Sequence, residues 1–199
     1  MNQYIIALVG FLSFSIFLAV LELTSRKFSL SAEWVRRIPH VCAALFTIFL
    51  SFYLSPFILL SLLGIFFLIM LTSRKLKIFK HIHEVSRKTI GEELLPIGFI
   101  GAYIIAHGDS RIFVPSLLLV GLADPIAGVI MEKYKKHILG LAAFALTSFL
   151  LLILFTQIPL WIVFVIVLIV SLVERISSYG TDNLSIPLTA ALLLLFLYR

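Results

Sequence analysis

The stretch Ser116-Leu-Leu-Leu-Val-Gly121-Leu-Ala-Asp124-Pro125-Ile-Ala-Gly128-Val-Ile-Met131 sets one carboxylate inside an otherwise apolar run. As a helix it is about 24 Å long, near the ~30 Å hydrocarbon core of a bilayer. An acid at that depth costs about 2.5–3.5 kcal/mol on insertion scales and marks a functional site by default. Pro125 has no N–H to give a helix, so the span is expected to break at Asp124. Asp124 would then cap a second half-helix with Pro125 at its first position. Such a capped break is also how an anion site is built.

Outward from this run the pattern repeats. Apolar segments fall near 4–23, 38–54, 56–72, 94–107, 112–131, 138–156, 158–173 and 184–198. Turn signals separate most of them: Ser55-Pro56, Gly108-Asp109-Ser110, Gln157-Ile158-Pro159 and Ser177 to Asp182. The fourth segment spans only about 21 Å, so it is either a half-helix or begins earlier, near Gly91. Of the 199 residues, 61% are apolar and 13% charged, against about 45–50% and about 25% in soluble domains. Soluble, disordered and disulfide-stapled classes are excluded, and so is a β-barrel, because the runs are continuous rather than alternating. The lone Cys42 allows no intramolecular disulfide. Tyr4 to Leu23 lacks a basic leader and a small-residue cleavage site, and reads as a retained span.

Charge placement sets the expected topology. With eight spans, all of the 16 Lys and Arg residues except Arg111 and Arg199 fall on one side. That asymmetry marks the cytoplasmic face. The fold class is therefore an all-α polytopic membrane bundle of about eight transmembrane helices, both termini outside, in one domain over 1–199. The net charge of +6 reports this topology rather than nucleic-acid binding. Every acid but Asp109 lies at or near the inner face, where nucleotides and metals are available.

Several polar clusters join Asp124 there. Arg36-Arg37-Ile-Pro-His40 puts two guanidinium groups at a span entrance, suited to bidentate phosphate contact. Positive-inside anchoring explains either Arg alone, and the nearby His40, followed by an apolar run, makes it a thinner explanation. In the 73–93 loop, Arg74 to Lys80 reads as a headgroup anchor, and His81 and His83 lack a third zinc ligand. Arg87-Lys-Thr-Ile-Gly91-Glu92-Glu93 pairs bases, a Gly and two acids just before a span. Lys135-Lys136 follows the Asp124 run and suits a polyphosphate with bridging Mg²⁺, although such pairs are common topogenic signals. Glu174 and Thr181-Asp182-Asn183-Leu-Ser-Ile-Pro187 complete the set. Asp182-Asn183 also fits a plain helix N-cap. Phosphoryl transfer is mainly positioning and charge neutralisation, and these are the residue types it needs. Walker A, Gly-rich kinase and Rossmann sequences are absent.

In this order the clusters resemble the polyprenol kinase family of dolichol kinase, phytol kinase and the CTP-dependent diacylglycerol kinase. The matching residues are Arg36-Arg37-Ile-Pro-His40, Arg87-Lys-Thr-Ile-Gly91-Glu92, Asp124-Pro-Ile-Ala127-Gly128, Lys135-Lys136-His137-Ile-Leu-Gly140, and Glu174 with Asp182-Asn183-Leu184-Ser-Ile-Pro187. The stretch from Gly128 to Lys135 is shorter than the family's, and His137 stands where the family has Ser or Thr.

The resemblance implies transfer of the γ-phosphoryl group of CTP to the hydroxyl of a membrane lipid alcohol. It implies Asp124, Glu174 and Asp182 around Mg²⁺, and Arg36, Arg37, Arg87, Lys135, Lys136, Gly128, Asp182 and Asn183 around the nucleotide. Asp124, Glu92 and His40 would be catalytic, with Glu92 or His40 taking the hydroxyl proton. The expected partners are the bilayer, a nucleoside triphosphate and the lipid alcohol. The expected membrane is the plasma membrane of a prokaryote or an endoplasmic-reticulum-type membrane of a eukaryote. Two other readings fit part of this pattern. Cytidylyl transfer to phosphatidic acid lacks its Lys-Asp-rich C-terminal signature here. A transporter with a midplane acid and broken helix predicts polar residues on both faces.

Overall fold

The computed structural model of the chain describes residues 2–28, 30–76, 78 and 89–197. Among these the regular structure is helical: α1 Gln3–Phe28, α2 Ala32–Ser51, α3 Pro56–Leu76, α4 Gly91–Ile105, α5 Ser110–Tyr134, α6 His137–Phe155, α7 Leu160–Ile176 and α8 Asp182–Leu197. The boundaries follow local chemistry. Ser55 leads into Pro56, which opens α3 with its φ already set. Asp109 caps α5 by accepting from the Arg111 backbone N–H at 2.9 Å. The Arg111 side chain also bonds Asp109, at 2.7 Å, and holds that carboxyl below its usual range. Lys135 ends α5 in a left-handed conformation (φ 53°), so only Lys135 and Lys136 separate α5 from α6.

Four of these helices, α1, α3, α5 and α6, are long and apolar enough to cross a membrane. With the apolar outer faces of the others, they make this a helical membrane protein. Burial ranks their positions. The most apolar 18-residue window of α5 is 72% buried, against 17% in α1, 28% in α3 and 22% in α6. So α5 is the central post, and the other three present apolar faces outward, such as Ile16, Phe57 and Leu154. Around the post, Phe99, Phe113, Phe144, Leu117 and Ile186 are fully buried. Tyr103 of α4 meets Phe113 of α5 edge to face, with ring centroids 5.0 Å apart.

The sequence expectation for α5 needs correction. The helix does not break at Asp124. It passes through one π turn, Leu119–Ala123, and resumes α-helical geometry at Asp124. The Asp124 N–H reaches back to the Leu119 carbonyl, one residue further than an α-helical bond. In that register the Val120 carbonyl would need an N–H from residue 125, which is Pro. The extra residue thus absorbs the proline without a break.

The fourth apolar segment is resolved in favour of the earlier start. α4 begins at Gly91 and has 15 residues. It packs closely on α8, where Gly98 lies against the Asn183 carbonyl and Pro187. Any side chain at 98 would drive these helices apart, which is the use of small residues between membrane helices.

Candidate functional site

The polar clusters meet at the N-terminal ends of α2, α4 and α8 and immediately after the π segment of α5. Asp124 is partly buried on α5. Asp182 at the start of α8 and Glu174 near the end of α7 act on it electrostatically, and so do Arg36 and Arg37 of α2. Residues up to 146 positions apart, Arg36 and Asp182, thus share one charge cluster. The Coulombic effect of His137 reaches Glu174 from the start of α6.

The two arginines are used differently. Arg37 is buried and forms a two-pronged pair with Glu132 of α5, Nη1 to Oε2 at 2.9 Å and Nη2 to Oε1. Glu33 lies 3.7 Å from the same guanidinium. A Cβ at Gly128 would stand 2.9 Å from Arg37 Nη2, so Gly128 makes room for this brace between α2 and α5. Among the described residues Arg36 is held only by Glu33, at 3.3 Å. Its Nε is buried without a hydrogen-bond partner among the described residues. Arg36 therefore has donors to spare for an anion, whereas Arg37 has committed its own.

His40 resolves what the π turn leaves open. Its Nε2 lies 2.9 Å from the Val120 carbonyl. A carbonyl only accepts, so Nε2 carries the hydrogen, and in the neutral ring Nδ1 keeps its lone pair. His40 thus satisfies the acceptor that Pro125 cannot. Leaving such a buried group unpaired costs about 1–3 kcal/mol. His40→Phe is therefore expected to lower thermal stability by that amount. Adding Pro125→Ala, which restores an N–H at 125, should recover part of the loss. A double-mutant cycle on detergent melting curves measures the coupling; strict additivity would contradict it.

A second interlock joins two of the sequence clusters. The Ile90 N–H and the Thr89 hydroxyl both donate to the Tyr179 carbonyl, at 3.0 and 3.1 Å. Asn183 Nδ2 donates to the Gly91 carbonyl at 2.7 Å. The turn before α8 is thereby fastened to the start of α4, with Tyr179 (φ 56°) and Gly180 (φ 85°) in left-handed geometry. Asp182 is not a side-chain cap reaching further into α8, since its Oδ1 accepts from the next residue, Asn183, at 3.0 Å. A neighbouring pair, Arg74 Nη1 to Glu93 Oε1 at 2.7 Å, ties α3 to α4.

Beside the charge cluster opens a cavity of about 90 Å³ between α1, α2, α3 and α4. Arg36, His40, Thr89, Glu92 and Asn183 line its polar end. Phe14, Phe46 and Phe66 form one aromatic wall, Phe14 lying 5.5 Å from Phe46 and 5.2 Å from Phe66. Sequence reading does not find this cavity. The lining from α1 and α3 comes from helices that are apolar on every face, so periodicity does not distinguish lining from lipid-facing positions there.

Not every candidate residue enters the cluster. Lys135 and Lys136 are exposed in the α5–α6 turn and pair with no described acid. Arg87, with Lys80, His81 and His83, lies outside the described residues. Among the described residues, no three His, Cys, Asp or Glu side chains stand together as a metal-holding group. A three-carboxylate cage of Asp124, Glu174 and Asp182 is therefore not formed. The donor set still fits Mg²⁺ carried by phosphate, which typically takes one or two carboxylates plus substrate oxygens. Asp124 and Asp182 supply two mutually repelling carboxylates, and neither has an ion pair among the described residues. Compared with known proteins, the chain matches no family model, no curated protein and no solved structure.

Proposed function

We propose that this protein is a CTP-dependent lipid kinase that transfers the γ-phosphoryl group to the hydroxyl of a membrane lipid alcohol. In this reading eight helices span the bilayer, both termini lie outside, and the site faces the cytoplasm. One observation carries it. A cluster of Asp124, Asp182, Glu174 and Arg36 adjoins the polar end of an apolar cavity open between membrane helices. A charged reactant and a lipid-soluble one would meet there.

In the proposed reaction the lipid hydroxyl oxygen attacks the γ-phosphorus, and the bond from that phosphorus to the β-bridging oxygen breaks. Lipid phosphate and CDP result. Mg²⁺, held by Asp124 and Asp182, would offset phosphate charge. Arg36 directs its spare donors at the same phosphates, and Arg37 keeps α2 in register through Glu132. Glu92 or the Nδ1 of His40 accepts the hydroxyl proton, since both line the cavity's polar end. Lys135 and Lys136 edge the same face and attract the nucleotide from solution.

Two experiments test these points. Purified protein supplied with CTP, Mg²⁺ and a prenyl alcohol in detergent should release CDP only when the alcohol is present. CDP release indifferent to the alcohol, or none with any alcohol, would overturn the kinase reading. For topology, Ser110→Cys and Ser178→Cys are made in a Cys42→Ser background, since both positions are exposed. In intact cells an impermeant maleimide should label position 110 and spare position 178. The reverse pattern would invert the orientation.

A further inference from the structure

α2 stands between two unfilled spaces. One face, with Arg36, His40 and Ala43, lines the cavity of the proposed site. The opposite face turns toward α5 and leaves a second, larger hollow of about 380 Å³. Its walls are two helical stripes: Ile38, Val41 and Cys42 from α2, and Ile126, Val129 and Ile130 from α5. Trp34 and Ile126 within it are 51% and 43% exposed, so it is a groove open to the outside of the bundle. In a membrane such a groove takes either a lipid chain or another helix, because an empty one forfeits the dispersion contacts of its walls. Membrane helices approach one another over Gly, Ala, Ser and Thr, and none of these lines the groove. Branched Ile and Val side chains dominate the two walls instead. They hold a partner helix at a distance, whereas a hydrocarbon chain is thin enough to lie between them.

Charge at one end of the groove selects the headgroup. Trp34 and the pair of Arg37 with Glu132 stand there, and an exposed Trp beside charged residues marks headgroup level. The two arginines of α2 are offset by Glu33 and Glu132. Lys133 is left in excess. It follows Val129 by four positions and Ile130 by three, so it continues the α5 stripe beyond the apolar wall. It is exposed and, among the described residues, pairs with no acid, its ammonium lying 5.4 Å from the Tyr134 ring centroid. We propose that this groove binds one acyl chain of an anionic phospholipid, with the lipid phosphate beside Lys133 and Trp34. The assignment does not depend on the kinase reading, because the groove and the cavity of that site lie on opposite faces of α2.

The test reads the groove through Cys42, the chain's lone cysteine, which is half-buried in its wall. Purified full-length protein in detergent is given palmitoyl-oleoyl phosphatidylglycerol or the matching phosphatidylcholine. Bound lipid is counted by native mass spectrometry, and the rate of N-ethylmaleimide reaction at Cys42 is followed in the same samples. One lysine beside an anionic headgroup changes affinity about fivefold. Phosphatidylglycerol should therefore be retained about fivefold better than phosphatidylcholine and should slow Cys42 labelling more. Lys133→Gln, at an exposed position, should remove most of that preference. Val129→Trp fills the groove and should lower retention of both lipids; if that variant does not fold, Lys133→Gln decides alone. Equal retention of the two lipids by the native protein overturns the proposal, as does an unchanged preference in Lys133→Gln. Retained phosphatidylglycerol that leaves Cys42 labelling unchanged would place the lipid elsewhere and overturn it too. Protection of Cys42 that rises with protein concentration and needs no lipid would mean that a second copy fills the groove, against the proposal.

Discussion

Replacing Asp124 by Asn is expected to abolish lipid phosphorylation, a loss of about a thousandfold or more, while the protein stays folded. The size follows from charge. Holding a phosphate-bound Mg²⁺ supplies several kcal/mol of charge stabilisation in the transition state, and a neutral amide cannot replace a carboxylate there. The fold should not suffer, because Asn has the same shape and because Asp124 faces two other acids, Asp182 and Glu174. Removing one of three like charges relieves repulsion, so detergent melting should hold or rise slightly. Turnover and melting are measured on the same preparation. Normal turnover in Asp124→Asn would contradict the assignment; a melting collapse would mean Asp124 is structural.

The second large effect is expected at Gly180. Its φ of 85° lies where side chains rarely go, and a Cβ there would stand 2.5 Å from the Gly91 nitrogen and 2.6 Å from its Cα. Those are backbone atoms at the start of α4, so no rotamer change relieves the clash. Gly180→Ala must pry the α8 turn from α4. That motion carries Asp182 away from Asp124, and it pulls Asn183 off the Gly91 carbonyl, to which it donates at 2.7 Å. Activity should fall at least about tenfold, and melting by several degrees, at about 2–4 °C per kcal/mol. The neighbour provides the contrast. Tyr179 has φ 56° and an exposed ring, and its contribution to the interlock is its carbonyl. Tyr179→Gly should keep activity and hold or raise stability. Equal losses in both variants would contradict the interlock.

Helix ends were legible because turn chemistry is local. Pro56 starts α3, Asp109 caps α5, and the α8 turn contains Gly180, each within a few residues of its expected place. The Arg36-Arg37 pair was legible as a cluster but not in its division of labour. That division depends on Glu132, 95 positions away, and on the gap at Gly128. Asp124 was readable as a functional acid from the cost of burying it, whereas its helix geometry was not. Proline predicts an open acceptor, but whether the helix breaks or takes a π turn depends on what satisfies that acceptor. Here it is His40, which arrives from α2 at 2.9 Å. The cavity was illegible for a related reason, since apolar residues facing it and facing lipid obey the same composition.

The most direct test of the central claim follows the label. Purified protein with Mg²⁺ and geranylgeraniol is given CTP labelled at the γ-phosphate or, in parallel, at the α-phosphate, and the extracted lipid is counted. The account predicts label in lipid from γ-labelled CTP alone. Label arriving from the α-phosphate would mean that a cytidylyl group moves instead, and would contradict it.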